Sequence, residues 1–322
     1  MTGPSPEHRF GFVAVCGRPN VGKSTLVNAI VGEPVAIATE HPQTTRERML
    51  GIWSQPEFQA VLVDTPGIHR PKSALNRTMV AQALAGCRDV DVVLFLAEVP
   101  QLEPKAAHEW LPGDVQREGL DLLIELGKPI VLVLTKIDRL SDPRALLPIT
   151  RAWTELHPFV AVVPVAALQG TGIDVLAAEV IARLPEGPSH FPEDQLTDRP
   201  MRWHVAELIR AELFTHLEQE LPYSCAVVVE RYSERKQGDA IEAIIYVERD
   251  SQRGMVIGKG AKVIKAISMG ARARIERLSG RPCDLRVRVD VARDWTRDPT
   301  RLAKFGYVEP DPKASLPPRE AT

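Results

Sequence analysis

The stretch Gly17-Arg18-Pro19-Asn20-Val21-Gly22-Lys23-Ser24 restricts the fold of this chain more than any other. Its spacing is G-x-x-x-x-G-K-S. The run before it, 12–16 (FVAVC), is apolar and β-branched and reads as a buried strand; the run after it, 25–31 (TLVNAIV), suits a helix. Strand, glycine-bounded loop and helix in that order make an anion cradle. Gly17 and Gly22 let the backbone turn several N–H groups towards one anion, and the helix N-terminus adds partial positive charge. In such a cradle Lys23 reaches the β- and γ-phosphates of a nucleotide and Ser24 gives its hydroxyl to Mg2+, with Asn20, Val21 and Thr25 completing the loop. Alone, the loop is also compatible with an ordinary strand–helix turn, so its weight depends on the motifs further along the chain.

Residues 8–184 alternate strand-like and helix-like runs, the pattern of a mostly parallel α/β sheet with helices on both faces. After the first helix comes a polar loop, 40–46 (EHPQTTR), then strands at 48–54 and 58–63 around the turn Ser54-Gln55-Pro56-Glu57. Thr45 in that loop could complete a Mg2+ shell when a γ-phosphate is present. Asp64-Thr65-Pro66-Gly67 ends the second strand. Asp64 there can hold Mg2+ through water, and the Gly67 N–H can meet the γ-phosphate. Asp-x-x-Gly by itself is a common turn; about 40 residues beyond a P-loop it reads as a second metal motif. The polar segment 68–73 is expected to order with a triphosphate and relax after hydrolysis. A helix at 75–87, a strand at 90–96, an extended loop at 98–114 and a helix at 115–126 lead to a strand at 129–134. That strand ends in Thr135-Lys136-Ile137-Asp138. Asp138 can accept two hydrogen bonds from guanine N1–H and the 2-amino group, a donor pair adenine lacks, and the Lys136 stem can cover the base. A further strand ends near Ala166 and Ala167, where a backbone N–H can meet the guanine O6; a helix at 172–183 closes the domain. Lys23, Thr45, Gly67 and Asn20 are the candidates closest to the reacting phosphate.

The 322 residues suggest two domains, with three possible, and 44% hydrophobic and 25% charged residues fit a globular protein. No apolar run reaches ~18 residues, and the first ten residues hold no apolar core of signal-peptide length, so a cytoplasmic location is expected. Four cysteines without C-x-x-C spacing are expected to be reduced core thiols, and the eight histidines show no ligand spacing. The net charge of −2 hides an asymmetry. Residues 225–307 hold 18 Lys/Arg against 11 Asp/Glu, a net of +7, while the rest holds 22 against 31, a net of −9. A basic C-terminal region suits a polyanionic partner, although a solvated charged face accounts for the count equally well.

The Pro-rich segment 185–200 reads as a semi-rigid interdomain linker. Beyond it, 201–307 reads as a smaller α+β domain: helix 201–217, strands 224–232 and 240–248 around a loop at 233–239, a helix at 261–279 and an alternating strand at 283–291. Between them, Arg253-Gly254-Met255-Val256-Ile257-Gly258-Lys259-Gly260-Ala261 resembles the signature of a KH domain, with Ala261 where the family pattern has a second-half glycine. Gly258 and Gly260 would let a nucleic-acid backbone approach, and Lys259 would meet phosphate. Val256 and Ile257 are expected to form an apolar wall for bases, with Lys262, Lys265 and Arg272 on the following helix adding charge. Ala261 is tolerated there at negative φ; a positive φ would weaken RNA binding. A lone Gly-Lys-Gly is otherwise a helix–helix turn. The tail 308–322 is expected to be disordered.

Gly17–Ser24, Gln43-Thr44-Thr45-Arg46, Asp64–Gly67 and Thr135–Asp138 together resemble the translation-factor-related GTPases, and among them the Era family of bacterial ribosome-assembly GTPases. Tyr246-Val247-Glu248-Arg249-Asp250-Ser251-Gln252 and Trp295-Thr296-Arg297-Asp298-Pro299 resemble the same family, so the likeness spans about residues 8–307. It implies a P-loop GTPase domain at 8–184, a type II KH domain at 201–307, GTP or GDP with Mg2+ as ligands, and 16S rRNA and the 30S subunit as partners. It also implies slight peripheral association with the inner membrane, and a monomer is expected. Within the GTPase motifs two positions depart from the family: Thr135 stands where most members have Asn, and Ala166 where they have Ser. Thr135 keeps a hydroxyl but loses an amide, so its tether to the P-loop is expected to be weakened or rearranged. Ile68 occupies the place of a water-orienting Gln, which implies slow intrinsic hydrolysis. Asn20 resembles the Asn that holds K+ in related GTPases, although a purely structural role fits it as well. An alternative is an RNA-tethering protein with a structural or very slow nucleotide site; an ATP-using enzyme is a further one.

Overall fold

The computed structural model describes residues 8–36, 48–67, 81, 83–102 and 104–307, which form two compact units, 8–198 and 199–307. The first unit is built on β1 (Arg9–Gly17), α1 (Lys23–Val31), β2 (Met49–Gln55), β3 (Phe58–Asp64), β4 (Val92–Glu98), α2 (Pro104–Ala107), α3 (Asp114–Ile124), β5 (Ile130–Thr135), α4 (Leu146–Thr154), β6 (Ala161–Val165) and α5 (Ile173–Ile181). Its sheet has the order β2-β3-β1-β4-β5-β6, with β2 antiparallel to β3 and every other pair parallel. β1, β3 and β5 are apolar on both faces and buried almost throughout, as strands of a covered parallel sheet must be. β1 lies between β3 and β4. It is where the chain's connections diverge to the two sides of the sheet, the place at which open α/β sheets bind ligands beyond their strand ends.

Several boundaries differ from the sequence expectation. β4 starts at Val92 rather than Val90, because the Asp91 carboxylate turns back to accept the Phe12 N–H at 2.9 Å. The expected loop at 98–114 contains the short helix α2. α4 carries Pro148 in its first turn, where a missing N–H costs no helical bond. Gly51 of β2 lies against α1: a Cβ there would sit 2.8 Å from Val27 Cγ1.

The segment 185–198 is not a free linker. The Pro185 carbonyl accepts the Phe10 N–H at 3.0 Å, and the Leu196 carbonyl accepts the Ile52 N–H at 2.9 Å. The buried Gln59 side chain accepts the His190 and Phe191 N–H groups, each at 2.9 Å, and donates to the Phe191 carbonyl. Asp198 accepts the Leu50 N–H. These bonds bind the segment along the first unit.

The second unit runs α6 (Met201–His216), β7 (Ala226–Arg235), β8 (Gly238–Val247), α7 (Asp250–Ile257), α8 (Lys262–Ser279), β9 (Cys283–Val291) and α9 (Pro299–Lys304). β7 and β8 are antiparallel, β8 and β9 parallel. The β7–β8 turn spans only Lys236 and Gln237, tighter than the expected loop at 233–239. α6 and α8 cover one face of the sheet with Val205, Ile209 and Leu213 against Ile267, Ala271 and Ile275. Trp295 is fully buried and donates its indole N–H to the Ser224 carbonyl at 2.9 Å, which pins the chain after β9. All four cysteines are buried and none is in a disulfide, with the Cys16 and Cys87 sulfurs 2.9 Å apart. Among the described residues no helix is long and apolar enough to cross a membrane.

Candidate functional site

The C-terminal ends of β1, β3, β5 and β6 bring the four sequence motifs to one edge of the sheet. At the end of β1, Gly17 has φ +150°, and a Cβ there would lie 2.6 Å from the Leu96 carbonyl oxygen. Gly22 (φ +96°) caps α1, and Asn20 adopts φ +66°, so the loop turns sharply before the helix begins. Lys23 is buried. Its ammonium donates to the Arg18 carbonyl at 3.0 Å and the Gly17 carbonyl at 3.5 Å, folding back over the loop. Burial lowers its pKa below the ordinary lysine value, with Asp64 opposing that shift. The Ser24 hydroxyl donates to Asp64 Oδ2 at 2.9 Å, joining the first helix to the end of β3. Thr65 donates to the Val15 carbonyl at 2.9 Å and fixes the turn beyond β3. Gly67 passes over Pro19 so closely that a Cβ would lie 2.7 Å from its ring. Val21 is buried and Thr25 half-buried, so any ligand meets chiefly their backbone.

Thr135 does not lose its hold on the P-loop. Its buried hydroxyl donates to the Val21 carbonyl at 2.7 Å, supplying the tether by a shorter reach than an amide would use. Lys136 (φ +58°) and Arg139 both pair with Glu98, at 2.8 and 3.0 Å. Glu98 is not among the candidates the sequence offers, because there it reads as the start of a loop; as the last residue of β4 it sits beside β5. Asp138 is exposed. Ala166 is buried and its N–H is committed to the Thr171 carbonyl at 3.0 Å, so it is not the free donor the sequence suggests; the next N–H on that loop belongs to Ala167. Thr45, the segment 68–73 and the tail 308–322 lie outside the described residues. Among the described residues no group of three or more His, Cys, Asp or Glu is arranged to hold a metal ion. Ser24 with Asp64 is an oxygen-only pair of the kind that suits Mg2+, which retains several waters.

In the second unit, Gly258–Ala261 joins α7 to α8. Gly258 has φ +71° and ψ 166°, a region essentially reserved for glycine, and a Cβ there would lie 2.5 Å from Val263 Cγ2. Gly260 (φ +60°) faces open space, and Lys259 is exposed. Ala261 has φ +59°, the strained one of the two conformations open to it. Val256 is not part of an apolar wall for bases: its side chain is buried in the second unit's core, leaving Ile257 half-buried beside the loop. Lys262, Lys265 and Arg272 lie on α8; all three are exposed, and Arg272 pairs with Glu276 at 2.9 Å.

A P-loop edge with a guanine-type Lys-x-Asp strand end, followed by an αββααβ unit whose helix pair is joined by a glycine loop, defines a GTPase with an appended KH domain. Comparison with known proteins agrees. A family described as "50S ribosome-binding GTPase" matches residues 12–136, and the "KH domain" family matches residues 220–296. Proteins named GTPase Era are 45% identical in Geotalea uraniireducens (94% of this chain, 98% of that protein) and 42% identical in Lactobacillus helveticus (94% and 97%). A crystal structure of Era in complex with MgGDPNP and nucleotides 1506–1542 of 16S ribosomal RNA superposes with TM-score 0.87 at 34% identity, covering 94% of this chain and 99% of that one. One of a tyrosine-to-alanine variant of Aquifex aeolicus Era bound to GDP and AlF4− superposes with TM-score 0.86 at 34% identity, covering 93% and 99%. The chain belongs to the Era family of GTPases, whose reaction is hydrolysis of GTP to GDP and phosphate.

Proposed function

We propose that the chain is a GTP-driven switch that binds the 3′ end of 16S rRNA through its KH unit and assists assembly and maturation of the 30S subunit. The observation that carries this reading is the Gly258–Ala261 loop, opened by two glycines beside the exposed Lys259, on the same chain as the P-loop edge. The solved Era complex with nucleotides 1506–1542 of 16S rRNA supports that choice of partner.

Each motif has a task in this reading. Backbone N–H groups of Gly17–Ser24 and the α1 N-terminus receive the phosphates. Lys23 exchanges its two carbonyl partners for phosphate oxygens. Ser24 and Asp64, with Thr45 when GTP is bound, hold Mg2+, which neutralises charge on the phosphates. Gly67, seated on Pro19, offers its N–H to the γ-phosphate. Asp138 selects guanine over adenine, Lys136 covers the base, and the Ala167 N–H serves O6 in place of Ala166. Asn20 would hold K+, which would supply positive charge beside the phosphates; equal hydrolysis rates in potassium and sodium buffers would remove that role. Ile68 makes intrinsic turnover slow, since it cannot orient water. The protein works in the cytoplasm as a monomer, with any membrane contact peripheral.

The test is a fluorescence titration of 16S rRNA nucleotides 1506–1542 with the wild-type chain and a Lys259→Glu variant. Charge reversal at the loop is expected to weaken binding at least tenfold, while guanine-nucleotide affinity stays unchanged. RNA binding equal in the two proteins contradicts the loop's assignment.

A further inference from the structure

Glu98 ends β4 in register with Thr135, and the Val99 N–H donates to the Thr135 carbonyl at 3.1 Å. Its backbone is therefore fixed against the strand from which Lys136 departs. Its two carboxylate oxygens serve two different cations: Oε2 accepts from Lys136 Nζ at 2.8 Å, and Oε1 from Arg139 Nη1 at 3.0 Å. Those cations flank Asp138 along the chain. The turn that carries all three is left-handed at Lys136 (φ +58°) and closes with the Arg139 N–H on the Lys136 carbonyl at 3.0 Å. Ile137 and Leu140 pack against the first unit's core. Within 136–140, two side chains are thus anchored by apolar contact and two by Glu98. Asp138 alone is left over: it is exposed and has no ion-pair partner among the described residues.

The side chains of the two ion pairs are 24–43% exposed, so the pairs themselves add little to stability. Their consequence is position. A lysine stem and an arginine head lose rotamer freedom when they are ordered, and ordering them only as a ligand arrives subtracts that loss from the affinity. Glu98 orders both beforehand. It also occupies two cations that would otherwise be drawn to the neighbouring Asp138 carboxylate.

We propose that Glu98 is a positioning residue for guanine recognition: from the end of β4 it sets the Lys136 stem in place for the base and holds the turn so that the Asp138 carboxylate stays free for the guanine edge. The proposal rests on the reading of Asp138 and Lys136 as the guanine-selecting pair.

The experiment measures GDP affinity by titration with a fluorescent analogue, and the preference for GDP over inosine diphosphate, which lacks the 2-amino donor, by competition. Glu98→Gln keeps the shape of the side chain and removes its charge. It is expected to weaken GDP binding about fivefold, the upper end for a part-exposed ion pair, and to lower the GDP preference, with the unfolding midpoint unchanged. In a Lys136→Met/Arg139→Met background the same substitution should cost less than about twofold, since the groups it acts through are gone. Wild-type GDP affinity in Glu98→Gln overturns the proposal. So does an unchanged preference, or an equal loss in the two backgrounds, which assigns Glu98 to the fold alone. Asp138→Asn tests the underlying reading separately: it is expected to lose GDP and to gain xanthosine diphosphate, whose 2-carbonyl accepts from the new amide. GDP binding left intact by Asp138→Asn overturns the guanine-selecting pair, and the role of Glu98 with it.

Discussion

Thr135 holds the Val21 carbonyl with a hydroxyl at 2.7 Å, in a spot closed to water. Thr135→Val keeps the shape but leaves that carbonyl unmatched, at a cost of about 1–3 kcal/mol. GDP affinity, read by titration with a fluorescent analogue, should fall about tenfold, and Thr135→Ser should restore it; a valine variant with wild-type affinity contradicts the tether. Lys23→Ala removes the buried cation and should weaken GDP binding by about two orders of magnitude, measured the same way. Lys23 also makes a pH prediction. Burial lowers its folded pKa, so the unfolded chain binds more protons between that value and 10.5. Stability of the nucleotide-free protein should therefore gain a rising component across that window, absent in Lys23→Met when urea midpoints are compared from pH ~8 to ~10. These residues are legible in the sequence because their types are tied to phosphate chemistry at fixed spacing. Glu98 is not, since only the pairing of β4 with β5 brings it to Lys136. Nor is the choice between Ala166 and Ala167, which depends on the carbonyl that Thr171 presents.

At the scale of elements, the loop between α7 and α8 combines two strained positions with opposite remedies. Gly258→Ala forces a side chain into a glycine-only conformation and against Val263; it should lower the unfolding midpoint of the second unit and abolish loop binding. Ala261→Gly relieves the left-handed strain at φ +59° by about 1–2 kcal/mol, less the chain entropy that glycine adds. Its midpoint should rise by a few degrees, with RNA affinity unchanged or higher; a lowered midpoint contradicts the strain argument. Strands are the most legible elements, because a buried run such as 130–135 has no polar face to confuse it. Edges are less so. Val90 is as buried as the strand beyond it, yet at Asp91 a side-chain carboxylate accepts the Phe12 N–H while the Asp91 N–H still bonds the Phe12 carbonyl. Pro148, third in α4, leaves that helix intact. Prolines give 185–198 the look of a tether, whereas long-range bonds from Gln59, Ile52 and Leu50 decide its place. Val256 reads as surface beside a glycine loop, and only the packing of α7 assigns it to the core.

For the whole molecule, an acidic GTPase unit is joined to a basic KH unit, and the net charge of −2 conceals both. Polyanion binding should be confined to the second unit and fall steeply with salt. A switch requires more than two sites on one chain: GTP must bind one RNA affinity state better than the other, and RNA must then favour GTP by the same factor. The most direct measurement is equilibrium binding of 16S rRNA nucleotides 1506–1542, and of a scrambled RNA of equal length, to the chain with a non-hydrolysable GTP analogue and with GDP. Tighter, sequence-dependent binding in the analogue state is the predicted result; equal binding of both RNAs in both nucleotide states would contradict the switch.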